Sequence, residues 1–395
     1  MDFLKVTGEL KKEVEEEIKK FFETELQTIE NDVLRDFYKD LRHHTLLGGK
    51  RLRPIMCIMA YCGYADYNPN ILRVSIAFEL LHSSSLILDD AMDEDVLRHG
   101  EKTFNAIYAD KFLKSTRFDL TPYYDGGNWI KKDGLTQLLL MQRAISRYSY
   151  ALSVLGSNIL YALSGQSIRS SGFDNPIVTK AMIMQREMYK KLNEGQLLDI
   201  LMEQKGGNED KYFEMIDHKT GILFTYPLRI GLLLTEKADI HSLDNYSTNL
   251  SRAFQVHDDI LGVFGDENTT GKPVDSDIKE GKNTLLVIKT LECADENQLK
   301  KAKTILGNRN ASSEDIAELK DIMKSCGALD YCIEKESQFI KAAKGSIDSE
   351  MKVYNKKKVL EKLFKYNINI LARDQQKYFF YTFCCNRKFS LKFFS

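Results

Sequence analysis

Proline is scarce, with six in 395 residues. Long stretches rich in Leu, Ile, Lys and Glu run uninterrupted, which favours helices. No segment alternates apolar and polar residues long enough to suggest a sheet. The seven cysteines, at positions 57, 62, 293, 326, 332, 384 and 385, are odd in number and repeat no zinc-like spacing. They read as reduced thiols in a reducing, cytoplasmic compartment. No run of about eighteen apolar residues suggests a transmembrane segment. The N-terminal MDFLKVTGELKKEVEEE is too charged for a signal peptide. Neither charge dominates: 56 Lys and Arg stand against 57 acids. That balance argues against a nucleic-acid or acidic-membrane binder. With 43% hydrophobic residues the chain has enough apolar material for a large core.

What is present centres on Leu81 to Gly100, LHSSSLILDDAMDEDVLRHG. On a helix, Asp89 and Asp93 share one face, Asp90 sits at its edge, and His82 lies two turns earlier on the same face. The apolar neighbours Ile87, Leu88, Ala91 and Met92 put these acids at the rim of a core, where carboxylates need a partner. Hard oxygen donors of this kind suit Mg²⁺, held through carboxylates and substrate phosphates. A solvated acidic face is the plainer alternative for so short a pattern.

Apolar residues at Val14, Ile18, Phe22, Leu26, Ile29, Val33 and Phe37 predict one amphipathic helix over 9–40. Gly48-Gly49 then precede Lys50, Arg51, Arg53 and Pro54, with Pro54 placed for the first turn of the next helix. Cations and a Gly-Gly loop at a helix start make a phosphate cradle or a solvated basic turn. A helix is expected over 71–97. The run 110–148, with Pro122, the DGGN turn and Trp129, reads as an irregular insertion. Helices return over 150–166 and near 177–204, and HKTG places Lys219, Thr220 and Gly221 where a helix bends. A second acidic stretch, FQVHDDILGVFGD, carries Asp258 and Asp259, but Gly262 stands four residues after Asp258. Residues 296–373 read as charged amphipathic helices. The tail 375–395 interleaves aromatic and basic residues without an acid, as a packing or disordered segment.

In order, GGKRLRP, DDxxD with a downstream Arg, GQxxD, HKTG, FQxxDD and GKPxxSDIxEGKxT span roughly 45 to 290. The chain thereby resembles the trans-isoprenyl diphosphate synthases, most of all the archaeal-type geranylgeranyl diphosphate synthases. The resemblance implies an all-α isoprenoid synthase fold. It would be a single large helical bundle around a central cavity, usually homodimeric, covering 1–374 with the insertion at about 110–148. It implies condensation of isopentenyl diphosphate with allylic diphosphates, with no nucleic-acid partner. It also implies Mg²⁺, about three ions per active site. Asp89, Asp90 and Asp93 would hold metal from one side, and Asp258 with Asp259 from the other. Arg98, Lys219, Lys272 and Lys282 would contact the allylic diphosphate, while Lys50, Arg53 and His82 match positions that hold isopentenyl diphosphate. Thr220 and Gln255 would aim oxygen dipoles at the allylic cation, with Gln196 nearby.

Three departures from the family pattern stand out: His99 where a second arginine is usual, Gly262 for the third acid, and Gly156-Ser157 where Gly-Asp is usual. His99 can still donate to a phosphate, but is largely neutral at pH 7. Relatives that stop early carry bulky aromatics four or five residues before the first aspartate; here Ser85 and Ser84 stand there. The next floor is Leu81 or Phe78, the latter about 16 Å up the helix from Asp89. That depth favours a geranylgeranyl or somewhat longer product over a farnesyl one, unless the serines pack against another helix. A farnesyl synthase, a terpene cyclase and a non-catalytic prenyltransferase subunit are the rival readings. GGKRLRP with His82 argues for two diphosphate sites, and both acidic motifs are retained.

Overall fold

The computed structural model describes residues 3–98, 100–115, 124–125, 128–129, 135–265 and 275–353. His99, Lys272 and the 375–395 tail, all singled out from the sequence, lie outside the described residues. The structure is built of helices: α1 (Phe3–Gln27), α2 (Asp32–Leu46), α3 (Leu52–Tyr64), α4 (Asn70–Met92), α5 (Phe104–Ser115), α6 (Leu135–Arg169), α7 (Asn175–Lys205), α8 (Glu209–Ile216), α9 (Ile222–Leu233), α10 (Asp244–Phe264), α11 (Ser276–Glu280), α12 (Leu285–Cys293), α13 (Glu296–Ile305), α14 (Ser313–Ser325) and α15 (Ala328–Val353). Two two-stranded hairpins interrupt them, β1 (Leu97–Arg98) with β2 (Glu101–Lys102), and β3 (Tyr124–Asp125) with β4 (Asn128–Trp129).

The chain divides into two compact units, one of residues 9–58 and 67–189, the other of 1–8, 59–66 and 190–395. In the first, α4 is buried almost all round, with Ile71, Val74, Phe78, Leu80 and Leu81 fully enclosed. It is long and apolar enough to cross a membrane, but 67% of its apolar window is buried, as in a core helix. Serines let α6 approach it closely. Ser84 Oγ lies 2.9 Å from Ser157 Oγ, and Ser164 Oγ donates to the Ala77 carbonyl at 2.9 Å. The plainer reading of Ser84 therefore holds: it packs against a neighbouring helix. In the second unit α8, α10 and α12–α15 share one core, including Tyr212, Ile216, Val256, Ile260, Leu286 and Leu319.

Several boundaries differ from the sequence expectation. The single helix over 9–40 is two, because Asn31 caps α2 by accepting from the Leu34 N–H at 3.1 Å. Arg35 reaches back to the Ile29 carbonyl at 2.6 Å. The break shifts the helical phase, so Val33 is 77% exposed although it fits the apolar stripe. The helix expected to reach 97 ends at Met92. Glu94 takes the left-handed conformation (φ 59°), and the β1–β2 hairpin follows. The stretch 110–148 is helical at both ends, and ring contact between Phe112 and Tyr148 (5.0 Å) ties α5 to α6 at its base.

Candidate active site

One cluster of candidate site residues lies along α4. From mid-helix to its end, this buried helix opens in a stripe at His82, Ser85, Leu86, Leu88, Asp89 and Met92, and at Asp93 just past it. The three-, four- and seven-residue spacings put His82, Ser85, Asp89 and Asp93 on one face, as the sequence implied. Asp93 ends the helix, its N–H donating to the Asp89 carbonyl at 2.9 Å.

Asp90 does not join that stripe. It is fully buried, and the β1–β2 hairpin returns Arg98 onto it. Arg98 Nε donates to Asp90 Oδ1 at 2.7 Å, and a second guanidinium nitrogen donates to the same oxygen. Burial raises the Asp90 pKa, and the Arg98 contact pulls it back down. Asp90 Oδ2 is buried without a hydrogen-bond partner. Arg98, expected on a diphosphate, is thus seated on a carboxylate, with Asp89 4.0 Å away.

At the other end of the stripe, positive charge converges. Burial drives the His82 pKa well below its usual value, and Arg53, Arg98, Arg51 and His44 push it further down. The imidazole is therefore neutral at pH 7. Burial brings the Arg53 guanidinium down to about 10, offset by the charge of Glu79. Arg53 Nε is buried with no hydrogen-bond partner. A buried cation with an unused donor, beside a histidine kept neutral by its cationic neighbours, suits an anion. Lys50 is exposed on the loop before Arg51. Arg51 itself is 3% exposed and bound within the protein, so it is not free to meet a ligand.

A second cluster lies in the other unit. Residues Asp217–Gly221 form a π-helical turn between α8 and α9, at the bend expected for HKTG. At this turn α7 comes very close: a Cβ on Gly195 would lie 2.3 Å from the Lys219 nitrogen. The glycine of GQxxD is thereby explained. Lys219 Nζ donates to Asp199 Oδ2 at 2.6 Å. Thr220 Oγ1 donates to Gln255 Oε1 at 2.8 Å, and Gln255 Nε2 to Asp259 Oδ1 at 2.9 Å. Tyr212 donates to the other Asp259 oxygen at 2.5 Å. Asp259 is 6% exposed, and burial pushes its pKa up to about 8, despite the two donors. Asp258, by contrast, is exposed.

At Gly262, where a third acid is absent, a Cβ would lie 2.5 Å from Asp277 Oδ2. The carboxylate of Asp277, from α11, fills the space that a side chain at 262 would need. Lys282 pairs with Glu280 at 3.2 Å, and Gln196 is half-buried on α7. Sequence reasoning did not select Tyr212, Glu79 or Asp277. Tyr212 and Glu79 carry no local signal, since each sits on a helix as an ordinary aromatic or acid. Asp277 stands within the quoted SDI motif. Among the described residues no three acidic, histidine or cysteine side chains form a ready-made metal cage. Of the five carboxylates expected to bind metal, Asp89, Asp93 and Asp258 reach solvent, whereas Asp90 and Asp259 are turned inward onto protein donors.

A helical protein with outward carboxylates at helix ends and a cationic cradle around a neutral histidine is of a class that handles phosphorylated substrates. The polyprenyl synthetase family model matches residues 35–116 and 141–323, and the chain belongs to that family. It is a prenyltransferase. It is 30% identical to the geranylgeranyl diphosphate synthase of Sulfolobus acidocaldarius, over 88% of this chain and 96% of that one. Identity to the geranylfarnesyl diphosphate synthase of Aeropyrum pernix is 27%, over 78% and 88% of the two chains. The crystal structure of geranylgeranyl pyrophosphate synthetase from Pyrococcus horikoshii superposes with a TM-score of 0.72 at 26% identity, covering 93% of this chain and 97% of that one. The fold is the all-α isoprenoid synthase fold.

Proposed function

We propose that this protein condenses isopentenyl diphosphate with allylic diphosphates, with Mg²⁺ bound, to give geranylgeranyl diphosphate or a somewhat longer product. The observation that carries the reading is the α4 stripe, with the Arg53–His82 cradle at one end and Asp89 with Asp93 at the other. Two ends of one open face suit two substrates, which a cyclase does not need.

Asp89 and Asp93 are hard oxygen donors one helical turn apart, and Asp258 is a third exposed carboxylate. One or two carboxylates with substrate phosphates are an ordinary Mg²⁺ environment, so the residues fit the ion without a closed protein cage. Mg²⁺ held by Asp89, Asp93 and Asp258 would supply charge neutralisation for the departing diphosphate. Lys50, Arg53, His82 and His99 hold isopentenyl diphosphate. Arg98, Lys219, Lys272 and Lys282 bind the allylic diphosphate. The allylic C–O bond breaks with its electron pair leaving on diphosphate, the isopentenyl double bond attacks the allylic cation to form a C–C bond, and the resulting cation loses a proton to the released diphosphate. Thr220 and Gln255 turn oxygen dipoles toward the cation, with Gln196 nearby, and the apolar surroundings exclude water.

The working form is a cytoplasmic homodimer. The exposed apolar residues Leu155 (54%) on α6 and Ile183 (57%) and Leu197 (57%) on α7 suit burial against a second copy. Residues 1–374 are the synthase domain, followed by the tail 375–395. The family model passes over 117–140, within the insertion read at about 110–148, and that excursion is dispensable for chemistry.

The test is incubation with isopentenyl diphosphate, dimethylallyl diphosphate and Mg²⁺, measuring released diphosphate and extracted product. Release that requires both substrates supports elongation. Release from a long allylic diphosphate alone indicates a cyclase, and binding without turnover indicates a regulatory subunit. Light scattering tests the dimer.

A further inference from the structure

Arg51 stands between two expected ligand residues, Lys50 and Arg53, yet it is built into the protein. Its backbone is left-handed (φ 51°), after Gly48 and Gly49 at φ 62° and 88°. Three left-handed positions within four residues turn the chain sharply out of α2 and into α3. The guanidinium is aimed back under this turn. Nη1 donates to the Thr45 carbonyl at 3.1 Å and to Glu79 Oε1 at 2.6 Å. Nη2 donates to the Leu46 carbonyl at 2.9 Å, and Nε to Glu15 Oε1 at 3.1 Å. One planar fork thus joins the last carbonyls of α2, a carboxylate of α1 and a carboxylate of α4. Gly49 leaves room for it: a Cβ there would lie 3.3 Å from Nη1.

Glu79 is 5% exposed and lies three residues before His82, hence on the same side of α4. Its charge also acts on Arg53, opposing the loss of that guanidinium's proton. The one carboxylate therefore fixes the loop that carries Lys50, supports the charge of Arg53, and is rigidly tied through α4 to His82.

We infer that Glu79, acting through Arg51, is a positioning residue that sets the affinity for isopentenyl diphosphate. The inference rests on the proposed function, since it assigns the Lys50–Arg53–His82 cradle to that substrate. Glu79 does not touch the ligand. It ties Arg51, and with it the loop carrying Lys50, to the helix that bears His82, and its charge supports Arg53, so its loss is felt selectively at one substrate. A carboxylate with only a stabilising role would instead lower the melting temperature and the active fraction, leaving both Michaelis constants alone.

The experiment compares wild type, Glu79→Ala, Glu79→Gln and Arg51→Lys. Steady-state kinetics varies each substrate in turn, and calorimetry measures isopentenyl diphosphate binding directly. Glu79→Ala is expected to raise the KM and Kd for isopentenyl diphosphate about ten- to a hundredfold, a typical cost of mispositioned binding groups. The allylic KM should stay within about twofold. Glu79→Gln keeps an acceptor oxygen for Arg51 and should recover much of the affinity. Arg51→Lys keeps the charge but loses the fork, and should weaken the same substrate if Glu79→Ala fails to fold. Unchanged isopentenyl diphosphate affinity in a folded Glu79→Ala or Arg51→Lys protein overturns the inference, as does an equal change for both substrates. A wild type that neither binds nor consumes isopentenyl diphosphate overturns the functional reading as well.

Discussion

The two acidic stretches share a short pattern and differ in how the protein supports it. In each Asp-Asp pair the first carboxylate reaches solvent and the second is buried: Asp89 and Asp258 outward, Asp90 and Asp259 inward. On α4 the inward acid meets a cation, Arg98, delivered by a hairpin eight residues on. On α10 the inward acid meets only neutral donors, Tyr212 and Gln255. Both pKa values are raised by burial, but Asp90 has an ionic partner to oppose the shift, whereas Asp259 rises to about 8. The third position differs too. Asp93 caps α4, whereas Gly262 leaves its space to Asp277 from another helix. In both pairs of adjacent aspartates the first acid is open to solvent and the second is held by protein donors.

The largest expected effect tests that division. Asp89→Ala or Asp258→Ala should lower turnover about a hundred- to a thousandfold, the worth of one transition-state electrostatic contact. Circular dichroism should show an unchanged fold, because both side chains lie at the surface. Retained turnover in either folded variant would remove that residue from the metal-binding role.

Gly262→Asp restores the sequence pattern but sets a side chain against the Asp277 carboxylate. Overpacking of this kind costs about 1–3 kcal/mol, and the added like charge increases it. A melting temperature below wild type is expected, and a stabilised or more active variant would show that Asp277 does not occupy the third position. Ser84→Phe should be destabilising by a similar ~1–3 kcal/mol, because Ser84 is sealed against Ser157. Ser85→Phe, on the half-open face, should instead shorten the product; chromatography of dephosphorylated products distinguishes the two.

The inward acids give a pH signature. The Asp259 pKa is raised from 3.8 to about 8 in the fold, so between those values the folded state holds a proton that the unfolded state has released. Its stability contribution is present at low pH and is lost as pH rises toward 8. Without Mg²⁺, the melting temperature of Asp259→Asn should gain on wild type from pH 5 to pH 8. A constant difference would mean that Asp259 stays ionised throughout. The smallest effect is expected at His99→Arg, where a permanent bidentate donor should lower the KM for isopentenyl diphosphate severalfold. An unchanged value would remove position 99 from the cradle.

The sequence by itself determined the helical class, the two acidic helix segments, the Gly-Gly-basic loop and the bend at HKTG. These are local properties. Helical spacing assigns His82, Ser85, Asp89 and Asp93 to one face wherever the helix is placed, and scarce proline leaves helices uninterrupted. Only the tertiary structure decided which of two adjacent aspartates faces solvent, because that depends on what packs behind each one. The same holds for Arg51, a ligand by its position in GGKRLRP and an internal clamp by its contacts with Thr45, Leu46, Glu15 and Glu79. It holds for Tyr212 and Asp277, which reach their partners from helices distant in the chain. A sequence pattern carries the chemistry of a side chain, whereas burial and long-range partners set its charge and direction, and those exist only once the helices have packed.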